Sequence, residues 1–171
     1  MEAELGTQRK PYDDMEEWIR TMYPEILRYC LFHCVNRSEA EDATQDTFLK
    51  AVRYGERIKQ LENQKAFVYK IARNTCIDFA RRKREAMLPE ELETEDAGLR
   101  NAEASADLIL LLSCLSSEQR ELILLRYQQD LTMLEIAQIL DVPLRTVQSR
   151  LRTARKKLEH MLRKEACNHD K

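Results

Sequence analysis

Between Leu144 and Leu162 the chain carries Arg145, Thr146, Gln148, Ser149, Arg150, Arg152, Thr153, Arg155, Lys156 and Lys157. They surround apolar residues, Val147 and Leu151, that recur at helical spacing. Guanidinium, amide and hydroxyl groups can hydrogen-bond base edges in a major groove, and Arg or Lys can pair with phosphates. Contact with nucleic acid is the chemistry this helix offers; a helical hairpin with a solvated basic face is the bland alternative. A second candidate is Cys30, His33 and Cys34, whose two cysteines lie one helical turn apart. No other ligand pair repeats that spacing. The five cysteines, Cys30, Cys34, Cys76, Cys114 and Cys167, fall on apolar helical stripes, which favours buried small hydrophobes over a metal site or a disulfide framework. Catalysis has little to work with. Three scattered glycines supply no phosphate loop, and His33, His160 and His169 form no cluster with a nucleophile or metal-ligand spacing. Neither a catalytic residue nor a metal nor a cofactor is expected.

The elements that must position the basic helix are legible. Thr132 with Glu135 is a capping box opening a short helix, Met133 to Leu140. Asp141-Val142-Pro143 makes a turn, and the basic helix follows from Leu144 to about Leu162. A short helix, a three-residue turn and a second helix form a helix-turn-helix. Ala137 is small where the two helices approach, and Ile136, Leu140, Val142, Val147 and Leu151 supply the apolar contacts. Upstream, Ser116 with Gln119 is another capping box, preceded by a short apolar helix, Leu108 to Leu115.

The first half repeats this helical character. Asp13 or Asp14 can cap a helix whose apolar stripe runs from Met15 to Cys34, with Pro24 expected to kink or restart it. Ser38 with Glu41 reads as the cap of a second helix, with Ala40, Ala43, Thr47, Phe48, Ala51 and Val52 on its packing face. Asn63 can cap a third, from Gln64 to about Arg84, with Phe67, Val68, Ile71, Ala72, Thr75 and Phe79 inward. No strand signal and no internal repeat occur. The expected fold is all-α: two small helical domains, at 12–86 and 107–164, joined by an acidic, flexible linker at 87–106.

The net charge of −2 conceals segregation. Residues 50–84 hold 11 basic and 3 acidic groups, a net of +8; residues 85–121 hold 2 and 10, a net of −8; residues 145–164 hold 8 and 1, a net of +7. Two basic patches separated by an acidic stretch point to two contacts with a polyanion. No run approaches the ~20 apolar residues of a membrane span. The opening MEAELGTQRK has no apolar signal core, so a cytoplasmic protein is expected.

Three segments in this order resemble the extracytoplasmic-function (ECF) sigma factors of the sigma-70 family. EAEDATQDTFLKA resembles the family's polymerase-binding helix, KAFVYKIARNTCIDFARRKR its promoter-melting and −10 helix, and LSSEQRELILLRYQQDLTMLEIAQILDVPLRTVQSRLRTARKKL its −35 reader. The resemblance implies that Asp42, Gln45, Asp46, Phe48 and Leu49 face the polymerase's largest subunit. It places Lys65, Lys70, Arg73, Asn74, Arg81 and Arg82 at the −10 region, with the loop at about Gln60 to Lys65 helping to hold flipped bases. It places Arg145, Thr146, Gln148, Ser149, Arg150, Arg152, Arg155 and Lys156 at the −35 element. The implied partners are bacterial RNA polymerase core enzyme, promoter DNA and an anti-sigma factor. Asp141 stands where the family often has Gly, and Asp tolerates a left-handed backbone better than most residues. The competing reading is a one-component regulator that binds duplex DNA through its helix-turn-helix without polymerase.

Overall fold

The computed structural model describes residues 15–86 and 106–169, and the regular structure among them is helical throughout. The acidic linker expected at 87–106 lies outside the described residues, except that Ala106 already begins a helix; the Asp13 or Asp14 cap lies outside them too. Helix α1 spans Met15–His33, α2 Arg37–Val52 and α3 Gln64–Ala86, with a 3-10 turn at Gly55–Gln60 between the last two. Trp18, Met22, Ile26, Tyr29 and Cys30 point inward from α1 against Ala40, Ala43, Phe48 and Ala51 of α2 and Val68 and Ala72 of α3. Small residues on α2 and α3 let the large α1 side chains fill the space between helices.

Two local expectations change. The cap of α2 is Asn36, whose Oδ1 accepts the Glu39 N–H at 2.8 Å, while the Glu39 carboxylate accepts the Val35 N–H at 3.0 Å. Asn36 precedes Ser38 and satisfies the orphan donors one half-turn earlier, leaving Ser38 inside the helix. Pro24 lies within α1 without dividing it. Asn63 does cap α3, accepting the Ala66 N–H at 2.8 Å.

In the second half, α4 spans Ala106–Ser113, α5 Ser117–Ile123, α6 Met133–Leu140 and α7 Leu144–His169. Both capping boxes form, Ser116 with Gln119 and Thr132 with Glu135. Helix α5 ends in a wide π turn, Leu124–Gln128, after which Gln129 is buried and Asp130 takes a positive φ of 51°. Leu112, Leu122, Leu125, Leu131, Ile136, Ile139, Val147, Leu151 and Ala154 make this half's core.

Asp141 ends α6 in the left-handed region, φ 56° and ψ 45°, with its N–H on the Ala137 carbonyl. This kink aims α7 away from α6. Asp141→Val should lower stability by about 1–2 kcal/mol, because a β-branched residue is strained there, whereas Asp141→Gly should be neutral or stabilising. Denaturant titration of both variants checks this; equal midpoints would show that the turn does not depend on the left-handed residue.

Candidate nucleic-acid interface

Helix α7 packs through Val147, Leu151 and Ala154, which leaves its remaining faces outside. Arg145, Gln148, Ser149, Arg152, Arg155 and Lys156 are exposed, and Thr146 and Arg150 are half-buried. Gln148, Arg152, Arg155 and Lys156 line one groove of about 350 Å³ with Met133, Leu151 and Glu159. Spacings of three and four residues put them along a single stripe. Arg150 does not join that stripe: its Nη1 pairs with Glu118 Oε2 of α5 at 3.1 Å. Lys157 likewise reaches Gln119 of α5, at 3.0 Å. These two cations tie α7 to its own domain.

On α2, Asp42 and Gln45 are exposed and Leu49 is 63% exposed. Val52, also exposed, continues the same face at spacings of three and four; sequence reading passed it over as a packing residue. Asp46 is half-buried and paired with Lys50 at 2.9 Å. Phe48 is corrected from interface to core. It is 5% exposed, edge-on to Trp18 and stacked on Tyr23, so its ring is unavailable to a partner.

The residues expected at the −10 region divide into two sets. Lys70, Asn74, Arg81 and Arg82 are exposed, with Arg81 paired to Asp78 at 3.3 Å and Arg82 lying over the Phe79 ring. Beside Asn74 opens a groove of about 470 Å³ lined by Lys50, Arg53, Tyr54, Arg57, Ile71 and Thr75. Tyr54 is 49% exposed and braced edge-on against Phe67, with ring centroids 4.9 Å apart. Cations around an exposed aromatic suit an unstacked base and its phosphates. Sequence reading missed Lys50, Arg53, Tyr54 and Arg57; the signal was the basic-aromatic run KAVRYGER.

Lys65 and Arg73 face the other way, into the second domain. Lys65 Nζ donates to the Gln129 carbonyl at 3.0 Å and pairs with Glu25 at 3.0 Å. Arg73 Nε pairs with Glu121 Oε1 at 3.0 Å, the two side chains being 29% and 13% exposed. The Tyr29 hydroxyl donates to the same Glu121 oxygen at 2.9 Å. Tyr69 donates to Gln129 Oε1 at 2.6 Å, and Asn63 Nδ2 donates to Glu135 Oε1 at 2.8 Å. Part of the loop expected to hold flipped bases, Asn63 and Lys65, lies against α6 and the π turn, because α6 packs along α3. Burial, with the nearby Glu121 carboxylate, pushes the Tyr29 phenol well above its ordinary value, so it remains a donor. Burial works against the Glu135 carboxylate, but hydrogen bonds from Thr132 and Asn63, with Lys65 nearby, hold it below the usual range.

His33 sits beside this seam, its ring 4.3 Å from that of Tyr29. Its buried Nε2 has no hydrogen-bond partner among the described residues. Burial lowers its pKa; Glu121 opposes that shift, and Arg73 and Arg120 add to it. A depressed histidine contributes stability that is present above its unfolded value, about 6.5, and lost as pH falls through the folded value. The wild type should lose stability below about pH 6.5 more steeply than His33→Phe. Parallel denaturation curves against pH for the two proteins would refute that role.

Cys30, Cys34 and Cys76 are buried together, with Cys76 Sγ 3.7 Å from that of Cys30 and 4.0 Å from that of Cys34. They fill the α1–α3 contact as small apolar groups, and His33 faces Tyr29 and the second domain. Among the described residues no group of His, Cys, Asp and Glu is arranged to hold a metal, and no helix is long and apolar enough to cross a membrane.

Comparison with known proteins agrees with this geometry. Residues 18–86 match the model of sigma-70 region 2, and residues 105–158 match that of sigma-70 region 4. The chain is 31% identical to RNA polymerase sigma factor SigV of Bacillus subtilis, over 82% of this chain and 86% of that protein. It is 28% identical to sigma factor YlaC of the same organism, over 91% and 95%. Among solved structures it resembles the sigma factor RpoE in complex with the anti-sigma factor NepR from Bartonella quintana. That match has a TM-score of 0.73 and 25% identity, covering 88% of this chain and 97% of that one. The chain belongs to the extracytoplasmic-function sigma factors of the sigma-70 family.

Proposed function

We propose that the two exposed basic surfaces, the α2–α3 groove and the outer stripe of α7, hold the two elements of one promoter while α2 holds core polymerase. The observation that carries this reading is the placement of two exposed, cation-lined grooves on different helices, one on α2 and α3 and the other on α7. In this reading residues 12–86 bind core enzyme and engage and melt the −10 region, 87–106 link the units, and 107–164 engage the −35 element. Asp42, Gln45, Asp46 and Leu49 meet polymerase. Lys70, Asn74, Arg81 and Arg82 meet the −10 strand directly, and Lys65 and Arg73 do so only once released from the second domain. Gln148, Arg152, Arg155 and Lys156 carry most of the −35 contact, and Arg150 chiefly braces α7. The protein works in the cytoplasm and has no catalysis of its own; bond formation belongs to polymerase. An anti-sigma partner is inferred from the solved relative RpoE, whose structure is a complex with the anti-sigma factor NepR.

Transcription reconstituted with core enzyme tests the reading. Polymerase fixes both units, so inserting about five base pairs between the elements, half a helical turn, should abolish output. Equal output from both templates would reject two-site recognition, and duplex binding that is indifferent to polymerase would favour a one-component regulator.

A further inference from the structure

The seam between the domains uses the same side chains that nucleic acid would need. On one side stand Lys65 and Arg73 of α3. On the other stand Glu121 of α5, paired with Arg73, and the Gln129 carbonyl, paired with Lys65, with Glu135 of α6 close by on Asn63. Each contact is an oxygen acceptor set against a donor, as a phosphate would be. Arg73 cannot present its Nε to Glu121 and to a phosphate at once, and α6 lies along α3 where a strand would run. These are hydrogen bonds and ion pairs among partly buried groups, so the contact is strong enough to form and open to screening. The π turn contributes by delivering Gln129 onto Tyr69.

We propose that Glu121 and Glu135 act as internal stand-ins for DNA phosphates, closing the second domain over α3 so that the free chain holds part of its own promoter surface shut. This rests on the reading of α3 as a −10 surface. Closure and strand binding compete for the same donors, so the free chain's affinity for a single strand is scaled by the fraction that is open. Anything that pulls the domains apart, polymerase above all, raises that fraction. Lys70, Arg81 and Arg82 lie outside the seam, so the inhibition is partial.

The test is Glu121→Gln with Glu135→Gln. Both replacements keep side-chain shape, and Gln is competent in a capping box, as Gln119 is with Ser116. The control is Glu16→Gln with Glu17→Gln, which removes the same charge from the exposed start of α1. Small-angle scattering of the full chain at low salt reads closure. Titration with a short mixed-sequence single-stranded DNA reads competition. The seam variant should be larger in solution than wild type and control, and should bind the strand about tenfold tighter than the control, a coupling of ordinary size. A variant as compact as wild type overturns the latch. So does an expanded variant that binds no tighter than the control. Failure of every protein to bind the strand would strike the promoter reading instead, and scattering would still decide whether the carboxylates hold the domains together.

Discussion

Gln45→Ala combined with Asp46→Arg should abolish capture of core polymerase while leaving the protein folded. Asp42, Gln45, Leu49 and Val52 share one outward face of α2, and Asp46 lies beside it, oriented by Lys50 at 2.9 Å. Arginine at position 46 would set a cation against Lys50 and reverse the charge offered to the partner. Truncating one member of a desolvated charge pair across an interface costs about 2–5 kcal/mol, so capture should fall at least about thirtyfold. The cost to the fold is small. Thr44, Thr47 and Phe48 pack on the opposite side, Ala and Arg are good helix formers, and an i,i+4 helix pair contributes about 0.3–0.5 kcal/mol. A pull-down with core enzyme, beside a thermal unfolding curve, decides it: undiminished capture removes this face from the polymerase contact. Phe48→Leu makes a useful contrast, because any loss there should follow stability.

What was legible in the chain follows from how local each signal is. The boxes at Ser116 and Thr132 involve residues three apart, and both form as read. The left-handed turn at Asp141 was legible because a helix-turn-helix demands one there and Asp tolerates it. The cap of α2 was misassigned because Asn36 and Ser38 are both good caps; the choice is set by where the chain leaves α1, which a window of four residues does not contain. The stripe on α3 was read too narrowly. Phe67, Ile71 and Phe79 are only partly buried, whereas Tyr69 and Cys76 are buried. Helix α3 is covered on two sides, by α1 and α2 and by α6, and periodicity within one helix cannot report a second covering layer from another domain. The same blindness put Lys65 and Arg73 in one class with Lys70 and Arg81. All four are cations of a type that suits DNA, and only the tertiary placement separates the donors that are already engaged.

The groove beside Tyr54 carries the other large expected effect. Tyr54→Ala should weaken single-strand binding and promoter opening, with little effect on duplex affinity. Stacking one base on an aromatic side chain is worth about 1–3 kcal/mol, roughly a 5- to 150-fold loss for the strand. The ring is well placed for that work, half-exposed and held at a right angle to Phe67, with Lys50, Arg53 and Arg57 around the same cavity. Tyr54→Phe keeps the stacking face and should retain most of the binding. Arg57 lies at the exposed rim, so Arg57→Ala should lower affinity for all strands alike and reduce the salt slope by about 0.7 of a unit, the amount for one phosphate contact on a single strand. Reactivity of unpaired thymines in the polymerase–promoter complex reads opening, and titration at two salt concentrations reads the slope. If Tyr54→Ala opens promoters as well as wild type does, the groove is not where the bases go. The exposed run of Lys70, Asn74 and Arg81 on α3 would then have to hold the strand by its backbone alone.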